Sequence, residues 1–165
     1  IVDALKRSSA TDRDERRAFP RGEAVGRAVQ WVGKATADPF EVSLNLPEAI
    51  MVLGSPGQLQ QVAMNLVQNA ADATEKARDR RLEISGGVEG AEAVIEFRDS
   101  GPGIPVENLD KLFDPFFTTK PVGRGTGLGL AISYGIVERH GGTLTAGNHA
   151  KGGALFSLRL PLAAL

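Results

Sequence analysis

The amino-acid sequence predicts an α/β fold, a two-layer sandwich in which helices cover one face of a mixed, largely antiparallel sheet. Three observations carry that expectation. The segments succeed one another as a helix and two strands, three times over. The segment Phe40 to Leu46 alternates apolar and polar residues, which suits a strand with one buried side. The 165 residues amount to one domain, a size that buries roughly 70% of its unfolded surface.

In chain order, residues 1 to 21 join a short apolar-spaced piece (Ile1, Val2, Leu5) to the charged run Asp12 to Arg17. They are expected to be the end of a helix followed by a solvated linker closing near Pro20. Val25, Ala28, Val29, Trp31 and Val32 predict a helix over 22–37. Phe40 to Leu46 and Ala49 to Leu53 are the first two predicted strands. Ser55-Pro56 supplies an N-cap and a proline at the first helical position. The helix it opens is expected to reach about Arg78, with Leu59, Val62, Ala63, Leu66, Ala70 and Ala73 as its apolar stripe. Leu82 to Val88 and Ala91 to Arg98 predict two strands joined by a turn at Glu89-Gly90. Asp99 to Thr126, with prolines at 102, 105, 115 and 121, is expected to be loop around a short helix near Val106 to Leu112. Leu128 to Arg139 predicts a helix stopped by Gly141-Gly142. Thr143 to Ala146 and Ala154 to Leu160 are the final strands, so that 22–165 forms one domain.

Composition narrows the function classes. With 19 basic and 20 acidic residues the net charge is -1, which argues against a dedicated nucleic-acid or anionic-membrane surface. The absence of cysteine excludes disulfides, thiolate metal sites and a cysteine nucleophile. No apolar run is long enough to span a bilayer. The first residue is Ile1 instead of Met, as expected of a piece of something longer. Of the 20 glycines, 15 lie after position 85, many in tight clusters. Such clusters mark backbone that turns sharply or comes close to a ligand.

Four constellations carry chemistry. Gln61, Asn65, Asn69 and Asp72 recur at spacings of four, four and three, so they share one side of the predicted helix. That stripe suits either a solvated face or an oxygen-rich site for a hard cation such as Mg²⁺, which keeps waters and shares substrate phosphates. Asp99-Ser100-Gly101-Pro102-Gly103-Ile104 directly follows a strand. It suits ordinary turn chemistry, or a carboxylate that accepts a hydrogen bond from the exocyclic amine of adenine. Guanine would present a second acceptor there and be rejected. Phe113-Asp114-Pro115-Phe116-Phe117-Thr118-Thr119-Lys120 puts three of the seven phenylalanines within five residues. They suit a plug that pins a long loop, or an exposed docking cluster, with Lys120 as a candidate phosphate contact. Gly123-Arg124-Gly125-Thr126-Gly127-Leu128-Gly129-Leu130 opens a helix, where backbone N–H groups make an anion site and glycine keeps it unobstructed. No parallel βαβ unit follows and no Gly-Lys-Ser/Thr occurs, so Rossmann and Walker A readings both fail.

Jointly, these motifs resemble the ATP-binding catalytic domain of sensor histidine kinases, within the superfamily of Hsp90, type II topoisomerase and MutL ATPases. The resemblance covers about residues 22–161. Residues 61–73 are similar to the N box, 99–104 to the G1 box, 113–120 to the F box and 123–130 to the G2 box, most like kinases of the nitrogen- and dicarboxylate-sensing type. It implies a Bergerat-type sandwich holding ATP and Mg²⁺ between the N-box helix and a lid. By this resemblance Asn69 is the principal Mg²⁺ ligand, Asn65 supports the metal or the phosphates, and Asp72 belongs to the same cofactor-binding stripe. Asp99 binds the adenine amine, and Gly101 and Gly103 line the base with Ile104 beside them. Gly125, Thr126, Gly127, Leu128 and Gly129 hold the phosphates through backbone amides, and Lys120 approaches the terminal phosphates.

The ATPases of the superfamily place a glutamate where this chain has Asn65, so the resemblance disfavours hydrolysis and favours phosphoryl transfer to an external acceptor. The implied acceptor is a histidine on a separate helical dimerisation domain, of which residues 1–11 are expected to be the last turns. His140 and His149, the two histidines present, are not followed by the acidic residue that such an acceptor carries. The implied partners are that domain and, through its phosphohistidine, a response regulator. Nucleic acid and direct membrane contact are not expected, and the implied location is cytoplasmic. The alternatives are an anti-sigma-type serine kinase and a degenerate nucleotide-binding module that signals by docking.

Overall fold

The computed structural model describes residues 16–35, 39–47, 50–119 and 127–163. Strand β1 (Arg17–Pro20) leads into helix α1 (Arg21–Ala35), followed by β2 (Glu41–Asn45), β3 (Met51–Gly54) and helix α2 (Pro56–Ala73). The hairpin β4 (Arg81–Glu89) and β5 (Glu92–Asp99) comes next, then helix α3 (Gly129–Arg139) and strands β6 (Thr143–Asn148) and β7 (Ala154–Pro161). Five strands form the main sheet in the order β2-β4-β5-β7-β6; β2 lies parallel to β4 and every other pairing is antiparallel. This is the mixed, largely antiparallel sheet that the sequence predicts.

Alternation along the strands sorts the two faces. Leu82 and Ile84 of β4, Ile95 and Phe97 of β5, Leu144 of β6, and Phe156, Leu158 and Leu160 of β7 are buried in one core with Leu59, Val62, Leu66 and Val67 of α2. The opposite parity carries Glu83, Glu96, Arg98, Ser157 and Arg159, with ion pairs Arg98–Glu83 (3.8 Å) and Arg159–Glu89 on that polar side. Helix α2 packs between α1 and α3 and against β4 and β5. Parity also decides the placement of Asp99. It shares the inward register of Phe97 and Ile95 and stands where the central strand ends, so its carboxylate emerges beneath the helices.

Several boundaries differ from the sequence expectation, most by one or two residues, and four carry a structural reason. Residues 17–20 belong to the fold and not to a linker: they pair antiparallel with β3 as a small second sheet, and Phe19 is wholly buried. The expected helix end over 1–11 lies outside the described residues. Buried Arg21 then ties the start of α1 to the hairpin, donating to Gly87 O (2.9 Å) and Val94 O (2.6 Å). Helix α2 stops at Ala73, five residues short of Arg78, because the Thr74 hydroxyl takes up Ala70 O (2.9 Å) and Glu75 N–H shifts to Asp72 O (3.2 Å). The expected short helix near 106–112 is a single 3-10 turn over Val106–Asn108. The hairpin turn falls on Gly90-Ala91, with Gly90 at φ +59° as a two-residue connection requires.

Candidate functional site

A cavity of about 510 Å³ opens between α2, the start of α3 and the segments that follow β5, a volume suited to a nucleotide-sized ligand. Its wall includes Asn65, Gln68 and Asn69 from α2, Asp99, Gly103 and Ile104 from the end of β5, and Gly127 and Gly129 from the approach to α3. Three motifs that lie far apart in the sequence therefore meet around one space.

Ser55 starts α2 by accepting the Gln58 N–H at 3.3 Å, with Pro56 at the first helical position as the sequence predicts. The buried stripe Leu59, Val62, Ala63, Leu66, Val67, Ala70 and Ala71 fixes the rotation of the helix. That rotation turns Asn65 and Asn69 to the cavity. The Asn65 amide nitrogen donates to Gly129 O and Ser133 Oγ, both at 3.0 Å. Gln61 is exposed and does not line the cavity. Asp72 also lies off the cavity wall; its carboxylate accepts from Gln68 Nε2 at 3.0 Å, so the stripe contributes two of its four members.

At the other wall Asp99 is buried, with Oδ1 accepting the N–H groups of Gly101 (2.9 Å) and Ala154 (3.2 Å). Among the described residues Oδ2 has no protein partner. Burial raises the pKa of this carboxyl above the usual range, and the two amide bonds oppose that rise. Gly101 differs from its expected role. It does not line the cavity, and a Cβ there would stand 2.7 Å from Ala73 O, so its glycine serves close packing against α2 while its N–H orients Asp99. Gly103 and Ile104 do line the cavity, Gly103 at φ +85°. Asn148, absent from the sequence reading, clamps this segment. Its Oδ1 accepts Ile104 N–H (2.7 Å) and its Nδ2 donates to Ile104 O (2.8 Å). Only the meeting of β6 with the loop after β5 reveals that role.

The three clustered phenylalanines have three fates. Phe113 packs inward, its ring 5.2 Å from Tyr134 and 6.5 Å edge-on from Phe156, which is the plug. Phe117 lines the cavity, and Phe116 is 74% exposed at φ +69°. Phe116 N–H donates to Gly127 O at 2.9 Å. A Cβ on Gly127, itself at φ +72°, would stand 2.3 Å from the Phe116 carbonyl carbon, so glycine is required there. Leu128 precedes α3 without lining the cavity, whereas Gly129 opens the helix beside it. Lys120, Gly125 and Thr126 lie outside the described residues.

This arrangement can recognise a base at Asp99 and an anion at the N-terminus of α3. Among the described residues no three His, Cys, Asp or Glu side chains gather as a metal site. Carboxamide oxygens of Asn65 and Asn69 fit a hard cation that takes its remaining ligands from phosphates and water. No helix among the described residues is long and apolar enough to cross a membrane.

Known proteins agree with this geometry. Residues 54–164 match the family described as histidine kinase-, DNA gyrase B- and HSP90-like ATPase. The two-component sensor PprA of Pseudomonas aeruginosa is 45% identical over 76% of this chain and 14% of its own length. The C4-dicarboxylate transport sensor protein DctB of the same organism is 39% identical over 73% of this chain and 20% of its own. The chain thus spans a fifth or less of these two relatives. Among solved structures, the nucleotide-free catalytic domain of histidine kinase ThkA superposes with a TM-score of 0.78 at 31% identity, covering 89% of this chain and 95% of that one. Sequence motifs, sheet topology and these likenesses converge: the chain belongs to the histidine kinase-, DNA gyrase B- and HSP90-like ATPase family, as an ATP-binding catalytic domain of the sensor histidine kinase kind.

Proposed function

We propose that this domain binds ATP with Mg²⁺ and presents the γ-phosphoryl group to a histidine on a separate helical dimerisation domain, from which a response regulator is phosphorylated. The observation that carries the base-binding part is Asp99, whose Oδ1 is held by two backbone amides while Oδ2 is left for the cavity. A carboxylate oriented in this way accepts the adenine amine and rejects the carbonyl of guanine. Asn65 and Asn69 would hold the cation, which when bound spreads charge from the transferring phosphoryl group. The N-terminal amides of α3 would meet the phosphates, and Lys120, Gly125 and Thr126 would extend that contact. Catalysis is then positioning and charge stabilisation. Asn65 is not a general base for water, which supports transfer over hydrolysis.

The acceptor is expected outside this chain. His140 is buried with both ring nitrogens engaged, Nδ1 with Ile136 O at 2.8 Å and Nε2 accepting Ser55 N–H at 3.1 Å. His149 sits before the turn into β7, where its Nδ1 accepts Lys151 N–H at 3.0 Å. PprA is a two-component sensor and ThkA a histidine kinase, which favours a histidine acceptor over a serine one. A cytoplasmic location goes with that reading.

Calorimetric titration with ATP and Mg²⁺, with GTP as control, tests the proposal. Binding of ATP alone is expected, with no acid-labile phosphate retained on the chain. No ATP binding, or stable labelling of this chain by radiolabelled ATP, overturns it.

A further inference from the structure

The amide nitrogen of Asn65 has two hydrogens, and both are taken up by α3, one by Gly129 O and one by Ser133 Oγ, each at 3.0 Å. Ser133 is fully buried, in the second turn of a helix whose first turn lines the cavity. A terminal carboxamide is nearly two-fold in its rotation, so unaided it presents oxygen or NH₂ with similar ease. With both N–H groups directed at α3, the oxygen has only the opposite side left. Among the described residues Asn65 Oδ1 has no protein partner, and Asn65 lines the cavity.

We infer that Ser133 is a positioning residue, whose hydroxyl works with Gly129 O to hold the Asn65 carboxamide with its oxygen toward a nucleotide-bound divalent cation. The inference rests on the ATP and Mg²⁺ reading above. Without the hydroxyl, one buried N–H loses its acceptor and the carboxamide is free to turn. The turned group places a donor before the cation, which repels it. Gly129 O remains in either case, so the effect is graded and not absolute. The same pair of bonds couples α2 to α3, so the metal side and the phosphate side of the cavity are set by one group.

The decisive measurement is the affinity of ATP with Mg²⁺ and with EDTA, for the unsubstituted chain, Ser133→Ala and Ser133→Cys, alongside thermal melting. Ser133→Ala is expected to weaken Mg²⁺-dependent binding about 5-fold, the usual consequence of one lost hydrogen bond. Metal-free binding stays within error, and the melting temperature falls by no more than the few degrees that one lost hydrogen bond costs. Ser133→Cys, close in size but a poor acceptor, falls between. Equal affinity of Ser133→Ala and the unsubstituted chain in Mg²⁺ overturns the inference alone. So does an equal loss with and without metal, which marks a packing role. Failure of the unsubstituted chain to bind ATP overturns the functional proposal, and this inference with it.

Discussion

The two ends of the cavity are built by different means. At the end proposed to take the base, Asp99 leaves the central strand of a five-stranded sheet, its carboxylate is fixed by two backbone amides, and the segment beyond it is clamped by Asn148 from the edge strand β6. At the end proposed to take the phosphates the wall is the start of α3, with Phe116 exposed in a left-handed conformation and Gly127 folded against its backbone. The first end gains its geometry from long-range strand pairing, the second from local backbone conformation. Substitutions at the base end should therefore alter which ligand is recognised, and those at the phosphate end how firmly any ligand is held.

Asp99→Asn should have the largest effect. It replaces a charged acceptor by a neutral amide, and hydrogen bonds to charged groups contribute about 1.5–3 kcal/mol, so ATP affinity should fall about 100-fold by titration. The fold should not suffer. Burial raises this carboxyl's pKa, so the folded chain holds the proton more tightly than the unfolded one. Stability from this group is complete below the unfolded pKa and is lost as pH rises through the folded one. Ligand-free melts of the Asn variant should lack that decline and match or exceed the unsubstituted chain above the carboxylate range. A destabilised variant would mean that Asp99 supports the sheet and does not merely use it.

Gly127→Ala comes second. A left-handed conformation costs a non-glycine residue about 1–2 kcal/mol, and the new Cβ also meets the Phe116 backbone. ATP affinity should fall about 10-fold or more, with GTP discrimination unchanged, since the base end is untouched. Altered discrimination would break the separation of the two ends. Asn148→Ala should be third, losing two hydrogen bonds at an exposed position for about a 5-fold loss of ATP affinity. Because the clamp acts on the segment that lines the base, part of that loss should appear as weaker preference for ATP over GTP.

Legibility in the sequence follows the same division. The motifs after β5, on α2 and before α3 were readable because chemistry-bearing residues sit at fixed spacing along one segment. Asn148, Ser133 and His140 were not, because each acts through a partner 44, 68 or 85 residues away. Strand β1 is four residues long and ends at a proline, and its membership rests on Phe19, which a charged run disguises as linker. The overrun of α2 has a similar cause: Glu75, Lys76, Ala77 and Arg78 are good helix formers, and only the Thr74 cap ends the helix before them. Gly101 shows the limit within a motif, since its position in the box was plain but not its close approach to Ala73 O.

Phe116 separates strain from function at the phosphate end. Its left-handed backbone costs about 1–2 kcal/mol, and an exposed ring returns little of that through burial. Glycine would relieve the strain but widen the unfolded ensemble by about 0.5–1 kcal/mol, leaving a small net gain. Asparagine tolerates the conformation without that entropic loss, so Phe116→Asn should be the more stable of the two, by about 0.5 kcal/mol in thermal melts. For both variants ATP affinity should stay within about 2-fold of the unsubstituted chain, the effect of a single weak contact, because Phe117 and not Phe116 lines the cavity. A tenfold loss in Phe116→Asn would show that the exposed ring itself shapes the phosphate end. The division between a sheet-built and a backbone-built half would then need an aromatic side chain on its second side.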